Sequence, residues 1–256
     1  MEQYQAPSDV LIVSAFMANI TTPQCLETNE NNKKYTEYFI PLLQANVNKI
    51  IFIDSSVVDR YKSYENHNTR IIPFVKESSY LYEHMHKITD FHPNNNNPEK
   101  DTIQYMFTQC HKTEWVKQAI EMTSSDTTPP SQYIWVDFGV KHMCKCSNEE
   151  FIKKIERLAT CKYNKVRIAS IWNPDTEYSN NIYRDMCWYF GGSVFGGNRA
   201  FLLEFARIMK MVCLEIIETK HTIMWEVNIW YLVYKRMRFL FMPYTCDHNS
   251  SIIDNY

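Results

Sequence analysis

The sequence predicts an α/β fold in which a mostly parallel β-sheet is flanked by helices, and three observations predict it. Short β-branched apolar runs recur along the chain, as in strands buried on both faces. Segments with apolar residues at helical spacing alternate with those runs, which is the mark of βαβ units. The length of 256 residues with 45% hydrophobic content suits one substantial core, so a single domain over 1–256 is expected.

The elements follow in order. Residues 9–16, with Val10-Leu11-Ile12-Val13, read as the first strand. Tyr35, Tyr38, Phe39, Leu42 and Leu43 lie at helical spacing within 33–46, ahead of a second strand at 49–54 and a third at 69–74. Residues 76–102 are polar and contain the tract Asn94-Asn95-Asn96-Asn97 between Pro93 and Pro98, so a surface insertion is expected there. Helical periodicity over 103–122 stops at Thr127-Thr128-Pro129-Pro130. A strand at 133–137, a helix at 149–158 and a strand at 166–172 come next. Two helices, 198–218 and 222–235, then precede a closing strand at 238–242.

Composition excludes some partners. A formal net charge of -2 without a long basic run lacks the concentrated cationic footprint that nucleic acid requires. The start Met1-Glu2-Gln3-Tyr4-Gln5 is polar and acidic, and the apolar stretch 10–18 is too short to span a bilayer. Eight cysteines without framework spacing read as reduced thiols. A soluble, cytoplasmic protein without a transmembrane segment is expected. Oligomeric state is not legible.

Four clusters carry candidate chemistry. The first, Trp135-Val136-Asp137-Phe138-Gly139, puts an Asp at the carboxyl end of a strand, where it either holds a hard divalent cation or caps the turn. Glycine is scarce, and four of the five glycines form the second cluster, Gly191, Gly192, Gly196 and Gly197. Such a stretch is either a loop whose backbone passes close to a sugar or acceptor or a tight turn between core elements. It lacks dinucleotide-fingerprint and P-loop spacing. In the third, Trp225-Glu226-Val227-Asn228, a carboxylate and an amide sit on an aromatic helix; Glu226 either works on a substrate hydroxyl or pairs with a neighbouring base. The fourth follows the last strand: Asp247 and His248 either complete a metal site with Asp137 or are ordinary surface residues. A rival zinc set, His142, Cys144, Cys146 and Cys161, has less typical spacing.

In this order the clusters resemble the landmarks of GT-A glycosyltransferases: an Asp-based metal motif, a glycine loop, an acidic motif on a helix and a carboxy-terminal His. The helix bearing Lys112, Trp115 and Ala119, leading into Ser131-Gln132-Tyr133-Ile134-Trp135-Val136-Asp137-Phe138-Gly139, is similar to that of the bacterial HtrL-like family. The likeness runs from Val10 to about Ile253 and implies a GT-A, Rossmann-like nucleotide-diphospho-sugar transferase core. It implies a nucleoside-diphosphate sugar, such as a UDP-sugar, as donor, with Mn²⁺ (or Mg²⁺) as cofactor. An acceptor, whether glycan, protein or small molecule, is implied as well and is not identified by the sequence. It further implies that Asp137 and His248, with Asp247, hold the ion, that the four glycines face the sugar, and that Glu226 and Asn228 stand at the reacting end. Ser14, Ala15 and Asp54 would lie near the nucleotide base and Lys112 near the diphosphate. Gly139 departs from the pattern, since relatives of glycogenin type carry a second Asp there. The alternative class is therefore a catalytically inactive nucleotide- or sugar-binding protein with the same fold.

Overall fold

The computed structural model describes residues 9–18, 30–94 and 100–256, without the side chains of 30–36. Seven strands form one sheet in the order β3-β2-β1-β4-β6-β5-β7. The strands are β1 (Val10–Phe16), β2 (Lys49–Asp54), β3 (Thr69–Phe74), β4 (Gln132–Val136), β5 (Val166–Ser170), β6 (Phe190–Asn198) and β7 (Phe241–Thr245). Only β6 runs antiparallel to its neighbours, β4 and β5; the remaining pairs are parallel. This mostly parallel sheet with flanking helices is the architecture expected of a GT-A-like nucleotide-diphospho-sugar transferase.

The helices are α1 (Glu30–Gln44), α2 (Ile103–Cys110), α3 (Lys112–Met122), α4 (Asn148–Leu158), α5 (Arg199–Lys220), α6 (Glu226–Arg236) and α7 (Ser251–Asp254). Strand periodicity sorts the core into two layers. Leu11, Val13 and Ala15 of β1 pack with α2, α3, α5 and α6. Val10, Ile12 and Phe16 pack with α1, α4 and α7. Each side of the sheet is thus covered, which is why β1 reads as a continuous apolar run. Among the described residues, no helix is long and apolar enough to cross a membrane.

Four differences from the expected elements have physical causes. The helix foreseen over 103–122 divides at His111, whose buried ring stands against Phe74 and Trp115. The glycine stretch is not a loop. It is most of β6, in the middle of the sheet, where absent side chains let neighbouring groups approach the strand. A short 3-10 turn precedes β7, which begins at Phe241 and runs on to Thr245. The stretch 76–102, foreseen as a surface insertion, has buried anchors as well as exposed residues: Leu81 is fully buried and Tyr82 packs edge-on against Phe107. Asn95, Asn96, Asn97 and Pro98 of the tract lie outside the described residues.

Candidate active site

A cleft of about 1720 Å³ opens where β1 and β4 end and β6 begins. Its lining includes Ala15 and Phe16 from β1, Trp135 from β4 with Asp137 just after it, and Gly191, Gly192 and Ser193 from β6. In open α/β sheets the carboxyl edge is where ligands collect, since strand ends and helix starts leave backbone and side-chain groups free there. The volume exceeds that of an ordinary small-ligand pocket, roughly 300–1,000 Å³, and leaves room for two reactants.

Three charged side chains form the floor. Lys112, first residue of α3, places its ammonium 2.8 Å from Glu226 Oε1, 3.1 Å from the carbonyl oxygen of Gly192 and 3.2 Å from Asp137 Oδ2, donating to each. The Lys112 and Glu226 side chains are each 4% exposed and that of Asp137 27%. Burial alone would drive the Lys112 pKa down; the carboxylates of Asp137 and Glu226 outweigh it and hold the group above its ordinary value. Trp135 Nε1 donates to Asp137 Oδ1 at 2.7 Å, a contact set by their two-residue spacing at the end of β4. The ladder closes the arrangement, as the Asp137 amide donates to the Ser193 carbonyl at 2.8 Å and so brings β6 alongside.

Gly192 makes this trio possible. A Cβ on it would stand 2.3 Å from Glu226 Oε1 and 3.2 Å from the Lys112 ammonium, so a larger residue would push the carboxylate from its present place against Lys112. Glu226 opens α6, where the helix dipole favours a negative charge. Its Oε1 accepts a hydrogen bond from the Lys112 ammonium, and its Oε2 is buried without a hydrogen-bond partner. Of the two readings of Glu226, the pairing with a base is present, and one oxygen remains unsatisfied.

Several expected site residues lie elsewhere. Ser14 is fully buried on the α1 and α4 side of β1, opposite to Ala15, because neighbouring strand residues point to opposite faces. The carboxylate of Asp54 is used locally, accepting from the Ser56 amide at 2.9 Å and hydroxyl at 2.6 Å. Gly196 and Gly197 pair with Ile134 and Tyr133, toward the far end of β4, and do not line the cleft. They serve packing: a Cβ on Gly196 would meet the Tyr133 carbonyl at 2.5 Å, and one on Gly197 the Lys165 carbonyl at 2.2 Å. Asn228 is 1% exposed with its amide fully engaged. It donates to the Ile182 and Asp185 carbonyls, both at 2.7 Å, and accepts from the Cys187 amide at 2.9 Å, so it shapes the 182–187 segment instead of touching a reactant. Asp247 is exposed and outside the cleft.

His248 does line the cleft, edge-on to Trp188 with ring centroids 4.1 Å apart. Partial burial pulls its pKa below the ordinary value against the opposing field of Asp247. These residues do not fit the Mn²⁺ or Mg²⁺ ion expected from the resemblance. Among the described residues no three His, Cys, Asp or Glu side chains converge. Both Asp137 oxygens already accept hydrogen bonds, and an ion on them would stand beside the Lys112 ammonium, whose charge repels it. Lys112 is likewise not a free diphosphate contact, since three acceptors surround its three protons.

Reading the sequence missed the other lysines of the cleft. Lys76, Lys100, Lys145, Lys153 and Lys154 join Lys112 in its lining, against the carboxylates of Asp137, Glu150 and Glu226. No spacing announces them, because they come from separate segments.

No protein-family model matches the chain, and no curated protein matches its sequence. Solved structures do match in overall path. Rv0371c from Mycobacterium tuberculosis H37Rv, also known as a manganese complex, aligns at 8% identity over 95% of this chain and 90% of that chain, with a TM-score of 0.43. For 4-diphosphocytidyl-2C-methyl-D-erythritol synthase from Anaerococcus prevotii the values are 9%, 93%, 87% and 0.42. For mouse xyloside xylosyltransferase 1 in its apo form they are 8%, 94%, 86% and 0.43.

Proposed function

We propose that this protein is a glycosyltransferase of GT-A type, resembling the HtrL-like family. It is one domain spanning 1–256, acts in the cytoplasm, and moves a hexose-like sugar from a nucleoside-diphosphate sugar, a UDP-sugar in the first instance, to a hydroxyl of a glycan, protein or small-molecule acceptor. The observation that carries this reading is electrostatic. In a chain of net charge -2, the cleft at the sheet's carboxyl edge gathers six lysines against three carboxylates. Such a cleft focuses positive potential and attracts an anionic donor such as a diphosphate.

The chemistry follows from the floor of the cleft. Departure of a nucleoside diphosphate leaves negative charge that fixed cations stabilise. Glu226 is the residue to meet the sugar. Its free Oε2 is a buried acceptor in need of a donor, and leaving such a group unmet costs about 1–3 kcal/mol. A sugar hydroxyl supplies that hydrogen bond. Lys112, itself bonded to Asp137, holds the carboxylate in place, and Ala15 and Phe16 offer an apolar wall at the end of β1.

The test is release of nucleoside diphosphate from a panel of nucleotide sugars, assayed alongside thermal shift. We expect at least one donor to be hydrolysed slowly, and Glu226→Gln to lower that rate by about 100-fold or more while nucleotide affinity stays nearly constant. A panel showing neither turnover nor stabilisation would remove the reading; stabilisation without turnover would leave a binding protein of the same fold.

A further inference from the structure

The cleft contains a charge imbalance that the floor residues cannot correct. Lys112 brings one positive charge to Asp137 and Glu226, which bring two negative ones. A diphosphate arriving there would meet a trio that is negative overall if both carboxylates are ionised. His248 adds no dependable cation, because its partial burial favours the neutral ring. The counter-charge has to come from another part of the lining.

It is available on the wall formed by residues 140–146 and α4. Lys145 and Lys153 line the cleft from this wall, and neither ammonium is engaged in a close ion pair among the described residues; the nearest field on Lys153 is that of Glu149, one helical turn away and outside the lining. Lys154, on the same helix, is already bound to Asp254, and Lys76 stands 4.0 Å from Glu77. The wall itself is held firmly. Lys141 donates to the Cys146 carbonyl at 2.7 Å and its ammonium lies 5.9 Å from the Phe151 ring centroid. Ser147 and Glu150 form a reciprocal capping box that fixes the start of α4 and occupies the Glu150 carboxylate, the one acidic group on the wall's helix that lines the cleft.

Building on the transferase reading above, we infer that the donor's diphosphate is neutralised by the ammonium groups of Lys145 and Lys153 and not by a protein-held divalent ion. The protein then binds and turns over its donor without metal. Lys112 is a positioning residue in this scheme, keeping Glu226 and Asp137 in register, while the two wall lysines touch the leaving group. No bond is made to either lysine; the C–O bond between sugar and diphosphate breaks, the electron pair leaves with the diphosphate, and the acceptor oxygen forms the new bond as its proton is lost to solvent or to Glu226.

The experiment is calorimetric titration of UDP, GDP and ADP in EDTA and again in Mn²⁺, with the unaltered protein and with the Lys145→Gln/Lys153→Gln double variant. Both side chains are exposed, so the variant should retain its melting temperature, which is measured in parallel. We expect one nucleotide to bind in EDTA within about threefold of its affinity in Mn²⁺, and the double variant to bind it about tenfold or more weakly in both buffers, since each substitution removes a charge-assisted contact. Binding that appears only with Mn²⁺, or a folded double variant that binds like the parent in EDTA, would overturn the inference and leave the transferase reading intact. Absence of binding by all three nucleotides in both buffers would overturn both.

Discussion

Lys112 matters more than its expected place beside a diphosphate suggested. It bridges the buried carboxylate of Glu226 and the partly buried one of Asp137, and removing one partner from a buried ionic group leaves charge without compensation. Lys112→Met should therefore lower unfolding free energy by about 3–5 kcal/mol, read from urea denaturation, whereas Lys145→Gln should leave it unchanged within about 0.5 kcal/mol. Equal stability of the two variants would show that the trio is not formed in solution. At this scale the sequence pointed to Asp137 by its place at the end of a strand, to His248 by its place after the last strand, and to Glu226 because a carboxylate amid apolar residues is costly unless paired or used. The same reason misplaced Asn228, because a buried amide meets that cost equally well by holding a loop. Only the direction of each side chain separates the two uses, and direction is not written in composition.

The element that changes most between sequence and structure is β6. Four glycines within seven residues reduce strand propensity, and a loop was the natural expectation. The requirement behind them was read correctly, a backbone that something approaches closely, but the approaching groups were not those foreseen. Gly192 admits Glu226 from α6, and Gly196 and Gly197 admit the neighbouring strands. Gly197 also has φ of 150°, in the region that side chains rarely adopt. Gly197→Ala should therefore cost at least about 1–3 kcal/mol from strain, more than Gly191→Ala, whose added Cβ would meet side chains and no backbone, the tip of Ile252 at 2.9 Å being the nearest. Thermal melts of the two variants check the ranking; a milder effect at Gly197 would place β6 differently.

For the whole molecule, pH acts through His111. Its ring is 2% exposed, with Nδ1 3.0 Å from Ser79 Oγ and Nε2 without a partner. Burial, aided by the fields of Lys117 and Lys210, pushes its pKa down from 6.5 to about 3. Between these values the unfolded chain binds a proton that the folded chain refuses, so stability contributed by the neutral ring is complete above pH 6.5 and declines as pH falls toward 3. The slope from this residue alone approaches about 1.4 kcal/mol per pH unit. Urea unfolding at pH 7, 5.5 and 4.5 should show that decline, and His111→Gln should flatten it; an unchanged slope in the variant would assign the acid sensitivity to other groups.

By itself the sequence determined the alternation of strands and helices, the carboxyl edge on which Asp137 stands, and the separate carboxylate on the helix opened by Glu226. These are local matters, since hydrophobic periodicity and the cost of burying charge are set within a few residues of each position. The tertiary structure alone decided that Lys112 lies between those carboxylates, that Gly192 admits one of them, and that lysines from several segments line one cleft. Those contacts join residues about 80 to 114 positions apart where Lys112 meets Gly192 and Glu226. Electrostatic partnership depends on distance in space, and the chain order carries no record of it until the sheet is assembled.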